Sequence, residues 1–273
     1  MRPLLAVDGD SLAHRAFHAL PKSIQDGSGR TANMLVGFAN MTLWDAEQPR
    51  AVFVGWDTLG SPTYRSELFP GYQAGREFPP ELTEQLDRLP ALCTAFGFAW
   101  AKAAGYEADD FLASAARAET QRGGRTLVLT SDRDSFQLAS DAVTILLPKR
   151  GVWELERVGP AEVRERYGVD PRQVPDFIAL RGDPSDRLPG ASGVGPVKAS
   201  AVLAEHGSLE AALAAGRFAA EADQLRTYLE VARMQSEAPL PPTPDSKLDF
   251  AGAADFAAAA GLRALAERLH ARA

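Results

Sequence analysis

The chain has 273 residues, 29 Lys and Arg against 36 Asp and Glu, a formal net charge of −7, and 45% hydrophobic residues. That apolar content can fill the core of one large domain or two smaller ones, and it excludes a long disordered chain. Cys93 is the sole cysteine, which excludes a disulfide framework and suits a reducing compartment.

Leu4 to Val7 is a short apolar run cut off by Asp8 and Asp10, too short for a secretory signal, and it reads as a buried strand. Thr31 to Trp44 has helical periodicity. Ala51 to Trp56 reads as a second strand, weakened by Gly55. Ser61 to Pro80 has no clean period and carries Tyr64, Arg65, Phe69, Tyr72 and Arg76 among prolines and glycines. A long irregular segment of this kind suits a lid or binding loop. Phe111 to Arg122 is predicted helical, and Thr126 to Thr130 and Val143 to Leu147 are the third and fourth strands. Strands alternating with helices predict a parallel α/β sheet. Beyond Gly168 no strand is expected. Ala199 to Glu205, Leu209 to Ala214 and Gln224 to Met234 read as helices. Ala238 to Asp249, with four prolines, reads as an extended connector. Ala251 to Ala273 ends in an amphipathic closing helix. The expected division is an α/β part over 1–168 and a helical part over 169–273. No segment has the roughly 18 uncharged apolar residues that cross a bilayer, so a soluble, cytoplasmic protein is expected.

The acids are not scattered evenly. Asp8 follows the first strand, Asp57 the second, and Asp132 and Asp134 the third. In an open parallel sheet these positions meet at the carboxyl edge, where ligands bind. Glu107, Asp109 and Asp110 open a helix, and Asp183 and Asp186 lie in Gly182-Asp-Pro-Ser-Asp-Arg187. Any one of these is explained by a turn or a helix cap. Together they would repel one another unless cations neutralise them. Oxygen-only ligation suits Mg²⁺ or Mn²⁺, and the four histidines show no zinc spacing. Setting these nine acids aside leaves 27 of the 36 against 29 bases, so a polyanionic substrate is not disfavoured.

Gly193-Val194-Gly195 precedes Pro196, which fits the first position of a helix. Glycines allow close backbone approach, free N–H groups at a helix start face an anion, and Lys198 adds positive charge. A helix–hairpin–helix of this form can hold a nucleic-acid backbone without reading its sequence.

These segments, in this order, resemble the 5′-nuclease family, which comprises the N-terminal 5′–3′ exonuclease domain of bacterial DNA polymerase I and the flap endonucleases. The resemblance rests on Val7-Asp-Gly9 with Arg15 and Phe17-His18, Trp56-Asp57, Tyr64-Arg65, Gly71-Tyr-Gln-Ala-Gly-Arg76, Gly105-Tyr-Glu-Ala-Asp-Asp110, Thr130-Ser-Asp-Arg-Asp134, Gly182-Asp-Pro-Ser-Asp186 and the glycine hairpin. It implies a PIN-like, resolvase-like nuclease core with a helical arch at about 61–90, followed by an all-helical part carrying the hairpin over 188–203. It further implies that the acids hold two divalent ions: Asp8, Asp57, Glu107 and Asp109 or Asp110 the first, and Asp132, Asp134, Asp183 and Asp186 the second. Such a pair clamps an in-line displacement at a phosphodiester. Arg76, Arg65 and the residue at position 73 would stand beside the scissile phosphate. Arg15, Tyr72, Gly193, Val194, Gly195 and Lys198 would contact DNA, with a monovalent cation such as K⁺ at the hairpin. Substrates would be DNA with 5′ ends, flaps or junctions. The chain stops after the helical part, so a stand-alone, monomeric member is expected, acting in replication or repair.

The sequence departs from the family at Gln73, where a lysine is usual; an amide cannot supply that charge. Two other readings compete. In a haloacid-dehalogenase-type phosphatase, Asp8 would be the nucleophile and Asp10 the acid, which leaves Tyr106 to Asp110 and the hairpin without a role. A non-catalytic junction binder of the same fold is opposed by the complete acid set. An RNA-cutting relative would differ only in substrate. On the nuclease reading Asp10 is dispensable.

Overall fold

The computed structural model describes residues 2–41, 44, 47–149 and 154–273. Its elements in chain order are β1 (Leu4–Asp8), α1 (Gly9–Ala19), α2 (Asn33–Ala39), β2 (Ala51–Gly55), α3 (Tyr64–Leu68), α4 (Pro80–Leu86), α5 (Leu89–Ala95), β3 (Ala99–Ala101) and α6 (Ala108–Gln121). They continue with β4 (Thr126–Leu129), a 3₁₀ turn (Arg133–Leu138), β5 (Val143–Pro148), β6 (Leu155–Val158), α7 (Pro160–Tyr167), α8 (Val174–Arg181), α9 (Pro196–His206), α10 (Leu209–Ala214), α11 (Ala222–Ala232), α12 (Phe250–Ala259) and α13 (Arg263–His270).

The strands form one sheet in the order β3-β2-β1-β4-β5-β6. All neighbours are parallel except β5 and β6. β1 and β2 are buried along their whole length, because helices cover both faces. Alternate residues therefore enter two separate cores. Ala6, Phe53, Val128 and Ile145 pack with α6, α8 and α11, whereas Leu5, Val7, Val54 and Leu129 pack with α1, α2 and α5.

The four expected strands are present, and β3 and β6 are added to them. β3 is only three residues long, and β6 reads Leu-Glu-Arg-Val, which is not an apolar run. The expected helix over 31–44 is shorter, at Asn33–Ala39, and part of its predicted end lies outside the described residues. The irregular segment over 61–80 contains α3, whose start is closed by Ser66 Oγ accepting the Thr63 N–H at 3.0 Å. The expected closing helix is present as α13, and α12 precedes it across a break at Gly261, which has φ +75° and lies against Gly27.

The connector over 238–249 carries neither helix nor strand. Arg50 holds it, donating to the Thr243 carbonyl at 2.8 Å while its Nε donates to Glu119 at 2.9 Å. The helices after it, α12 and α13, join the core of α1, α2 and α5. The packing thus assigns residues 250–270 to the α/β layer, whereas α8 to α11 pack on the opposite face.

Candidate active site

The register places Asp8 opposite Gly55 at the carboxyl end of β1, and Asp57 and Thr130 lie just past the ends of β2 and β4. Gly55 explains how a helix reaches this edge. A Cβ there would come within 2.7 Å of the Ala108 carbonyl, so its absence lets the start of α6 close onto β2. The Ala108 N–H then donates to Asp57 Oδ1 at 2.7 Å. Asp8 caps α1, its Oδ1 accepting the Ser11 N–H at 2.9 Å and its Oδ2 the Thr130 hydroxyl at 2.7 Å.

A pocket of about 460 Å³ opens over this edge. Its walls carry Asp8, Asp10, Asp57, Glu107, Asp109, Asp132, Asp134 and Asp186, with Arg65, Tyr72, Gln73 and Arg76. Burial pushes Asp8 up to about 7, with negative Asp57 adding to the effect. Burial likewise pushes Asp57 up to about 6, helped by Glu107, and Asp186 up to about 6, helped by Asp132 and Asp183. Asp10, Asp109 and Asp134 are held well above the ordinary carboxylate range, each chiefly by burial. Asp132 is raised by burial as well. Crowded, desolvated acids of one sign repel one another and call for counter-charge.

Arg65 supplies part of that charge. Its side chain is 2% exposed and lies 3.0 Å from Glu107, 3.0 Å from Asp109 and 3.1 Å from Asp110, while Nε donates to the Val231 carbonyl at 3.0 Å. Every donor is engaged, so Arg65 acts as a fixed counter-ion within the acid cluster. Arg76 is the more exposed cation; its Nη1 donates to Gln73 Oε1 at 2.7 Å, and Nη2 is 3.8 Å from Asp186. Gln73 donates through Nε2 to Asp186 Oδ1 and to the Tyr72 hydroxyl, each at 2.8 Å. Tyr72 donates to Glu107 at 2.8 Å. The segment after α3 is thereby laced to the loop after α8, across the pocket.

Two of the expected acids stand apart. Asp110 is 0% exposed and does not line the pocket; its Oδ2 accepts the Glu107 N–H at 3.0 Å and its Oδ1 the Gln235 N–H at 2.8 Å. It caps α6 and anchors the chain after α11, so of the pair left open by the sequence, Asp109 is the one that faces the pocket. Asp183 is also off the walls, since it accepts from Ser185 N–H at 2.8 Å, from the Ser185 hydroxyl, and from Arg181 at 3.0 Å. Arg15 does not line the pocket either and donates to the Pro148 carbonyl at 2.8 Å. Gly193, Val194, Gly195 and Lys198 lie elsewhere, at the start of α9. Among the described residues no group of three or more His, Cys, Asp or Glu is arranged to hold a metal ion directly.

Asp10, Ser11 and His14 also line the pocket. Their spacing of three and four residues on α1 was the available sign, because positions so spaced share one helix face. Phe78 and Ser185 had no such sign in the sequence.

The N-terminal resolvase-like domain of the 5′-3′ exonuclease family matches residues 3–168, and the C-terminal SAM-fold domain of that family matches residues 169–251. The chain belongs to the 5′-3′ exonuclease family. It is therefore a nuclease by family, with a resolvase-like, mostly parallel sheet followed by a helical SAM-fold region. DNA polymerase I of Mycobacterium tuberculosis is 44% identical over 210 residues, covering 76% of this chain and 23% of that protein. The thermostable DNA polymerase I of Thermus thermophilus is 37% identical over 279 residues, covering 97% of this chain and 32% of that protein. The chain thus spans a third or less of these relatives' length. A solved structure of a T5 5′-exonuclease with bound zinc has the same fold, with a TM-score of 0.71 at 19% identity, covering 98% of this chain and 97% of that one. Among the described residues no helix is long and apolar enough to cross a membrane.

Proposed function

We propose that this chain is a divalent-metal-dependent 5′–3′ exonuclease and flap endonuclease that hydrolyses DNA phosphodiesters near 5′ ends and single-strand/duplex junctions. One observation carries the reading: eight carboxylates from separate segments of the chain line a single pocket at the carboxyl edge of the sheet, with Arg65 already spent among three acids. Such a donor set fits a hard cation. Mg²⁺ keeps several of its waters and is commonly held through one or two carboxylates, so a dispersed ring of acids suits it without a closed cage. Asp8, Asp57, Glu107 and Asp109 would hold one ion, and Asp132, Asp134 and Asp186 a second. When bound, the cations neutralise the acids and draw electron density from the phosphodiester oxygens.

This chain's own residues do the rest. The Ser11 and Ala108 N–H groups aim Asp8 and Asp57. Arg76 brings a guanidinium to the pocket wall, where it can pair with a substrate phosphate. Gln73 orients Arg76 and Asp186 together. The arch over 61–90 would admit the 5′ strand. The hairpin would hold the duplex backbone: Gly195 caps α9 with no side chain of its own, and Val197 beside it is 82% exposed. Lys198 Nζ donates to the Gly193 carbonyl at 2.8 Å, so the ammonium supplies the positive charge that a bound K⁺ would otherwise bring. The division at residue 168, a monomeric state and a cytoplasmic location belong to the same reading.

The test is incubation of the purified protein with a 5′-labelled flap duplex in Mg²⁺, in Mn²⁺ and in a chelator, followed by product sizing. Cleavage in either metal and none in chelator is expected. Flap, nicked and blunt substrates left intact in both metals would overturn the proposal.

A further inference from the structure

Asp10 is absent from the acids that match the family, yet its side chain lines the pocket between α1 and β2. It sits in the first turn of α1, and its Oδ2 accepts the Asp57 N–H at 2.7 Å. That N–H is the first one past the sheet ladder. The preceding Trp56 N–H still reaches the Ala101 carbonyl at 2.9 Å. Asp57 is therefore fixed at both ends, its backbone by Asp10 and its carboxylate by the Ala108 N–H. The contact is built in. A Cβ at Gly9 would come within 2.6 Å of the Trp56 ring, so the missing side chain is what lets α1 approach β2 at this register.

An amide oxygen would also accept the Asp57 N–H, though less strongly than a carboxylate. A carboxylate also places a third negative charge beside Asp8 and Asp57, which is unfavourable unless a cation is shared among them.

We infer that Asp10 is a positioning residue for Asp57, and that its charge strengthens divalent-cation binding at this site. The inference rests on the metal-dependent nuclease reading above. Two full-length variants separate its parts. Asp10→Asn keeps the acceptor and removes the charge, and Asp10→Ala removes both. The readouts are Mn²⁺ titration by calorimetry and single-turnover cleavage of a 5′-labelled flap at saturating Mn²⁺. Asp10→Asn is expected to bind Mn²⁺ roughly tenfold more weakly and to cleave at near the parental rate once saturated. Asp10→Ala is expected to lose a further roughly 10–100-fold in the saturated rate. Should circular dichroism show Asp10→Ala misfolded, Asp10→Ser, which shortens the acceptor, takes its place with the same expected loss.

Parental Mn²⁺ affinity in Asp10→Asn overturns the charge role. Equal saturated rates for the amide and the truncated variant overturn the positioning role. Loss of all cleavage in Asp10→Asn at saturating metal also overturns it, since that is the behaviour of a proton donor. A parental protein that binds Mn²⁺ and cleaves nothing overturns the nuclease reading alone, while the comparison of Mn²⁺ affinities still decides on Asp10. A parental protein that binds no Mn²⁺ overturns both.

Discussion

Gln73 shows how one side chain changes what its neighbours can do. It sits at φ +46° and spends its amide on Asp186 and Arg76. Gln73→Lys would bring an ammonium against Asp186 and release Arg76 from its acceptor. Both changes place more positive charge at the pocket, and a positioned cation is typically worth a few kcal/mol in a transition state, or roughly a hundredfold in rate. A smaller rise in single-turnover cleavage is expected, because Arg76 already contributes. A variant that binds DNA more tightly at low salt but cleaves no faster would show only a phosphate contact. Asp134 offers the opposite trade. Burial and negative Asp132, Asp186 and Asp183 hold it well above the ordinary range, so Asp134→Asn relieves repulsion. It should raise the melting temperature of the metal-free protein and cut cleavage at least roughly a hundredfold. Thermal melts in chelator and cleavage rates in Mn²⁺ check the two halves separately.

Among the elements, the hairpin before α9 and the connector over 238–249 carry different loads. Gly193 has φ +68°, a backbone that disfavours other residues, whereas Gly195 has φ −99° and open space around its Cα. Gly195→Val should therefore leave the fold intact and weaken duplex binding, by blocking backbone approach to phosphate. Circular dichroism establishes the first point and a duplex titration the second; unchanged affinity would remove the hairpin from the binding surface. The connector depends on Arg50, 3% exposed, and Glu119, 2% exposed. Glu119→Ala leaves that guanidinium buried with Asp245, itself 65% exposed, as its remaining acidic partner. The expected loss is about 3–5 kcal/mol in denaturant unfolding, since breaking a buried pair strands a charge.

For the whole molecule, the acid cluster sets how stability follows pH. Unfolded carboxylates titrate near 4, whereas Asp8 is pushed up to about 7 and Asp57 and Asp186 up to about 6. Between these values the folded, metal-free protein holds protons that the unfolded chain has released. Stability is then fully present below the unfolded range and is lost as pH rises through 6 to 7. The melting temperature in chelator should fall by roughly 5 °C or more between pH 5 and pH 8, and saturating Mn²⁺ should flatten the fall. A metal-free melting temperature that stays level or climbs over this range would show that the acids are compensated within the protein.

Four strands, the order of the acids and the connector could be read from the chain, because each is local: an apolar run, a carboxylate just past it, prolines in series. The carboxyl edge as the candidate site followed from the same pattern, since parallel strands bring their ends together whatever the packing. Local signals stop where distant segments meet. Asp109 and Asp110 are neighbours in one acidic motif, and only the packing of α6 against the chain after α11 turns Asp110 into a cap and leaves Asp109 at the pocket. Asp10 read as an incidental acid until the closeness of Gly9 to Trp56 placed it against Asp57. The tail helices read as part of the helical end, and the apolar faces of α12 and α13 instead complete the core beside α5. Sequence determined which groups reach the edge of the sheet; the close approaches of α1, α6 and the loop after α8 decided which of them share one pocket.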